Sequence, residues 1–185
     1  MRALARAIVL LLLPLVASAA ADDSDIAVVV AKTGEGIYVK VDCPVKAPRA
    51  VVWDVLTDYD HMASFLPNVT QSVIRMRMGN RLRVYQKGRA SRGPLSIAYE
   101  NVREVELVPT TEVRSRIIEG DNMPAEFVTR IEERDGELHI LHSGNYTPNM
   151  WVPPGIGPAL IESETRRQYA NIRNEVLRRA ARTSQ

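Results

Sequence analysis

Residues 50–69 read AVVWDVLTDYDHMASFLPNV. Ala50, Val51, Trp53, Val55 and Leu56 can coat one side of two helical turns. Asp58, Tyr59 and Asp60 then interrupt the apolar pattern, and a second apolar group runs to Pro67. The stretch is too apolar for a surface loop and too broken for one helix. It reads as two short helices around an acidic elbow, with Pro48 suited to the first turn. A pair this small acts as a lid or end-plug, not as a framework.

What such a plug would close follows from the flanking sequence. Before it, residues 37–45 alternate: Ile37, Val39, Val41 and Cys43 share one side, Tyr38, Lys40 and Asp42 the other. Pro44 and Pro48 end that strand. After it, strands are expected at 72–78, 81–90, 95–108, 112–119, 125–133 and 137–147. Gly79-Asn80, Arg92-Gly93-Pro94, Pro109-Thr110, Gly120-Asp121-Asn122 and Arg134-Asp135-Gly136 separate them. Six consecutive strands with short turns make an antiparallel meander. Residues 148–158 are irregular. Residues 159–181 place Leu160, Ile161, Tyr169, Ile172, Val176 and Leu177 at helical spacing.

The expected fold class is therefore α+β: a curved seven-stranded antiparallel sheet around a long C-terminal helix, with two short helices after the first strand. A helix is about 10 Å wide. Seven strands about 4.8 Å apart are far wider. The concave space left over must be filled by side chains or remain a cavity.

The ends of the chain read differently. Arg2 and Arg6, an apolar run over 7–16 and the small residues Ala17 to Ala21 have the order of a cleaved signal peptide over residues 1–21. The run is shorter than the roughly 20 residues a membrane span needs. A retained anchor is the alternative. The expectation is export to the periplasm or the extracellular space. Residues 22–36 are expected as a flexible leader, 37–181 as the domain and 182–185 as a tail. Cys43 is the one cysteine, so no internal disulfide forms and packing must supply stability.

Charge excludes one class of partner. The chain has 24 basic and 22 acidic residues, and loss of Arg2 and Arg6 would balance them. Nucleic-acid binding domains are strongly basic, so none is expected here. Arg75, Arg77, Arg81, Arg83, Lys87, Arg89 and Arg92 crowd the first hairpin. They read as a solvated face balanced by Glu100, Glu104, Glu106 and Glu112. Transient contact with an anionic membrane surface is the alternative.

Residues 52–69, VWDVLTDYDHMASFLPNV, together with Ala50, resemble the opening motif of the polyketide cyclase and coenzyme Q-binding branch of the START superfamily. GPLSIAYE at 93–100 and the closing helix are similar to that group too. The resemblance spans roughly residues 37–181 and implies a helix-grip fold with an apolar tunnel. Family members bind lipids, sterols, quinones, polyketides or plant hormones, and some are enzymes. The resemblance transfers a cavity but no catalytic residue.

Candidate ligand contacts are Trp53, Phe65 and Leu66 from the motif, each readable as core or as cavity wall. Tyr85, Tyr99, Asn101 and Tyr146 are candidate orienting groups within the cavity. Trp151, Val152 and Ile156, between Gly155 and Gly157, read as a buried crossover or a gate over the tunnel. Asp58, Asp60 and His61 read as helix-capping groups ahead of a catalytic base. His139 and His142 lie three apart on a strand and so face opposite ways, which argues against a metal pair. No nucleophile elbow, phosphate loop or dinucleotide fingerprint is present, so no cofactor or metal is expected. The expected function is carriage of a hydrophobic small molecule or lipid. A cyclase or dehydratase acting in the same cavity is the alternative, and a groove for another protein is a third.

Overall fold

The computed structural model describes residues 23–34, 36–92, 95–121, 123–147 and 156–183. The expected signal peptide, Trp151 and Val152 lie outside the described residues. So does the side chain of Ile156.

Strand β1 (Ala27–Thr33) pairs with β2 (Gly36–Val45). Helix α1 (Arg49–Thr57), a 3-10 turn at Tyr59–His61 and helix α2 (Met62–Phe65) follow. Then come β3 (Val69–Met78), β4 (Arg81–Arg92), β5 (Leu95–Val108), β6 (Glu112–Gly120), β7 (Ala125–Arg134), β8 (Glu137–Tyr146) and α3 (Ile156–Thr183). All pairings are antiparallel, in the order β1-β2-β8-β7-β6-β5-β4-β3. β2 closes onto β8, so the meander wraps around α3. This is the helix-grip architecture expected from the alternation of strands and the terminal helix.

The sheet has eight strands, not seven. Ala27–Thr33, expected within a loose leader, is the added edge strand β1. Val28 and Val30 pack against the core, and Ile26 beside them is fully buried. Ion pairs hold the segment down: Arg173 of α3 contacts Asp23 at 2.9 Å and Asp25 at 2.7 Å. The last helix also runs to Thr183, past the expected end at 181.

Period two decides which side chains face α3. β2 buries Val39, Val41, Cys43 and Val45, and β4 buries Leu82, Val84 and Gln86. The helix answers with Leu160, Tyr169, Ile172 and Val176, spaced for one face. Register shifts between Ile74 and Met76 in β3, and between Val102 and Arg103 in β5, mark bulges that bend the sheet. The β7–β8 turn needs positive φ at both central residues, and Asp135 (51°) and Gly136 (79°) provide it.

The outer face carries the charges. Glu104 pairs with Arg83 (3.4 Å) and Arg116 (2.9 Å), and Lys87 stands 4.0 Å from Glu100. Exposed pairs of this kind contribute about 0–1 kcal/mol each. Glu112, expected to balance the first hairpin, instead pairs with Arg114 and Arg130.

Candidate functional site

A cavity of about 340 Å³ lies between the concave sheet face and α3. The expected leftover space exists because one helix cannot span the sheet's width. Odd-numbered residues of β5 form one wall: Ile97, Tyr99, Asn101 and Arg103. β6 adds Val113, Ser115 and Ile117, and β7 adds Phe127 and Thr129. His142 and Tyr146 come from β8. Leu160, Ile161 and Tyr169 are the helix side.

The opening stretch closes the cavity by contributing Leu56, Tyr59, Met62 and Leu66. Its acidic elbow is what fastens it. Asp58 accepts hydrogen bonds from His61 Nδ1 (2.6 Å) and from Arg179 of α3 (2.7 Å). Burial opposes the charged form of Asp58, but those two bonds outweigh it and lower its pKa. Asp60 accepts the Ile74 backbone N–H at 2.7 Å, beside the β3 bulge. Neither carboxylate makes a side-chain cap, because both reach across to other elements. Glu175 strengthens the joint. It is held by Arg178 and Arg179, and the Arg178 hydrogen bond leads in drawing its pKa down to about 2.

Of the expected contacts, Leu66, Tyr99, Asn101 and Tyr146 come together at the cavity. Trp53 and Phe65 instead pack on the outside of the core cluster, and Arg179 sits 5.7 Å from the Phe65 ring. Tyr85 lies on the sheet's outer face under Arg75, 4.1 Å from its ring centre. The strand alternation that puts Gln86 inside puts Tyr85 outside.

Arg103 and His142 are cavity groups the sequence reading passed over. Arg103 is partly buried on the cavity wall, and its Nε is shut off from solvent. Its Nη2 donates to Asn101 Oδ1 at 3.3 Å, and its Nε has no partner. Among the described residues no carboxylate lies within ion-pair distance of it. Burial lowers its pKa, and Tyr59, Tyr99 and Tyr169 oppose that shift. His142 is partly buried on the same wall. Its Nδ1 lies 2.9 Å from Thr129 Oγ1, and its ring stacks on Phe127 with centroids 5.4 Å apart. Burial first, and Arg103 second, push its pKa down to about 4. His139 faces outward to Asp42 at 2.6 Å, so the two histidines occupy opposite faces.

The remaining polar walls are mostly internally satisfied. Gln86 donates to Ser72 Oγ (3.1 Å), Tyr99 to the Asn68 carbonyl (3.3 Å), and Asn68 to Gln168 (3.3 Å). Glu164 is paired with Arg167, while its Oε2 has no partner. Burial pushes the Tyr59 hydroxyl up to about 12 and raises Tyr99, Tyr146 and Tyr169 as well.

A curved antiparallel sheet gripping a terminal helix over a cavity defines a START-like helix-grip protein. The family described as polyketide cyclase/dehydrase and lipid transport matches residues 45–140, more than half of the chain, and the chain belongs to that family. A search among curated proteins finds no match. Solved structures share the fold. A STAR-related lipid transfer protein from Xanthomonas axonopodis has a TM-score of 0.69 at 13% identity, covering 84% of this chain and 96% of that one. The Zhui aromatase/cyclase of a Streptomyces species has a TM-score of 0.64 at 16% identity, covering 81% and 96%. A START superfamily protein from Mycobacterium smegmatis has a TM-score of 0.60 at 14% identity, covering 76% and 97%.

Proposed function

We propose that this protein binds a hydrophobic small molecule or single-chain lipid in its cavity and carries it unaltered. The cavity of about 340 Å³ between sheet and helix supports this most directly. It falls at the small end of ligand pockets, which run from about 300 to 1,000 Å³. Burying a ligand there gains about 25 cal/mol per Å² of apolar surface before the costs of association.

The second reading is a cyclase-type enzyme, favoured by the convergence of Arg103, His142 and four tyrosines on one space. The direction of their shifts weighs against it. A general base works best with a pKa near the working pH. His142, at about 4, is too weak a base, and Tyr59, at about 12, too weak an acid. These groups are neutral donors and acceptors suited to holding a ligand.

The test fills the space. Ser115 is a small residue on the cavity wall of β6. Ser115→Phe would place a ring in the cavity and should weaken uptake of a neutral fluorescent apolar probe by about tenfold or more. Thermal stability should hold or rise, because an internal void is filled. Probe affinity equal to that of wild type, with the ring accommodated, would count against the cavity as the binding site.

Carriage is proposed to take place outside the cytoplasm. The charged start, apolar run and alanine-rich end of residues 1–21 support export. The intact mass and cell fraction of protein recovered from its host test it: a chain starting at Asp22 outside the cytoplasm is expected, and one retaining Met1 in the cytoplasmic fraction would overturn export.

A further inference from the structure

The occupant's chemistry can be narrowed from Arg103, the one arginine or lysine among the described residues lining the cavity, an inference that rests on the carriage reading of the same site. We propose that the ligand carries a carboxylate and that Arg103 receives it, with the apolar tail running toward the start of α3.

A guanidinium has five N–H donors in a planar fork and stays protonated in proteins. Arg103 uses one of them within the protein, at the long distance of 3.3 Å to Asn101, and leaves Nε without a partner. Its other near neighbours are the hydroxyls of Tyr59, Tyr99 and Tyr169, and each is held protonated by burial. A charge drawn out of water with no counter-ion is unfavourable, and natural proteins pair such charges. Elsewhere on this chain the rule is kept: Arg173 has two aspartates, and Arg179 has Asp58 and Glu175. Arg103 departs from it, and the space beside it is where a ligand would sit.

Three features select a singly charged, flat anion. The guanidinium fork matches a carboxylate through two parallel hydrogen bonds. His142, which also lines the cavity and feels the Arg103 charge, is neutral at physiological pH, so the described lining offers one positive charge. A phosphate dianion would leave excess negative charge buried. A hydroxyl or ketone could accept from Arg103 but would leave its charge unbalanced.

The tail direction follows from the helix. Tyr169 lines the cavity within reach of the Arg103 charge, whereas Leu160 and Ile161 line it at least two turns earlier on α3. Eight residues of helix, from Ile161 to Tyr169, span about 12 Å. With Ile97 they make an apolar stretch leading away from the cation. Glu164 stands along that stretch with its charge balanced by Arg167, and its field is felt at Tyr99.

The experiment compares decanoic acid with decanol, two ligands of equal chain length, as competitors of the neutral fluorescent probe at neutral pH. Wild type should bind the acid about tenfold or more tightly than the alcohol. Arg103→Gln should bring that preference to about threefold or less, and Arg103→Lys should keep part of it. If both compounds displace the probe equally well from wild type, the carboxylate assignment fails while carriage stands. If the wild-type protein takes up neither the probe nor either competitor, carriage fails with it. Should Arg103→Gln not fold, the wild-type preference for acid over alcohol decides the matter alone.

Discussion

Gly144→Ala is expected to cost about 3 kcal/mol of stability, at the upper end of what overpacking a core does. Gly144 sits in β8, between β2 and β7 near the middle of the sheet, opposite Val39 and Phe127. A Cβ there would collide with the Glu126 carbonyl oxygen and the Phe127 ring, and would stand 2.9 Å from Phe127 Cα. Two of those atoms are backbone in a hydrogen-bonded ladder and cannot give without opening it. The ring is stacked on His142, so moving it disturbs the cavity wall as well. Gly136→Ala is the control. Its φ is +79°, but a Cβ there would meet nothing within 4 Å, so only the strain of the left-handed region remains, about 1–2 kcal/mol. Urea unfolding midpoints of the two variants should separate cleanly. Equal losses would mean that close packing at Gly144 is not what requires glycine.

The contrast between those glycines also shows what a sequence discloses. The turn at Asp135-Gly136 is local chemistry and is legible, as are Gly79-Asn80 and the alternation along each strand. The meander and the helix followed from such local rules. The edge strand β1 did not. AVVVAKT lacks clean alternation and lies ahead of a glycine, so it reads as leader. What fixes it is Arg173, about 150 residues away in the chain, gripping Asp23 and Asp25. No local window contains that pairing.

The cavity was legible to the extent that strand parity was applied. Tyr99 and Asn101 belong to the odd-numbered face of β5, and so does Arg103, two positions further on. Its charge alone suggests a surface residue, yet the parity it shares with Tyr99 and Asn101 places it on the cavity wall. Tyr85 is the converse case. It shares its face with Arg81, Arg83 and Lys87, and residues that charged in alternation mark solvent. An aromatic on such a face pairs with a cation, as Tyr85 does with Arg75, and lies away from the cavity lining. Asp58 and Asp60 suit helix caps by type, and only the fold reveals that they bind Arg179 and the Ile74 N–H instead.

His142 carries the other large expected effect, a loss of stability on mild acidification. In the unfolded chain its imidazole has the ordinary value of about 6.5. In the fold, burial and the Arg103 charge hold it at about 4. The unfolded state therefore takes up a proton between these values while the native state does not. Stability is complete above pH 6.5 and declines as the pH falls toward 4. One pKa unit corresponds to about 1.4 kcal/mol, so the loss amounts to about 2–3 kcal/mol by the lower part of that window. The paired carboxylates respond at lower pH. Glu175 and Glu112 have folded pKa values below the ordinary 4.5, so their contribution is lost only as the pH falls beneath that value. Between pH 6.5 and 4.5 the imidazole effect stands apart from theirs. His142→Phe keeps a ring against Phe127 and Tyr169 but removes the titrating nitrogen. Its urea midpoint should change little across that window, whereas the wild-type midpoint should fall. If the two proteins lost stability in parallel, the imidazole would not be the group responsible.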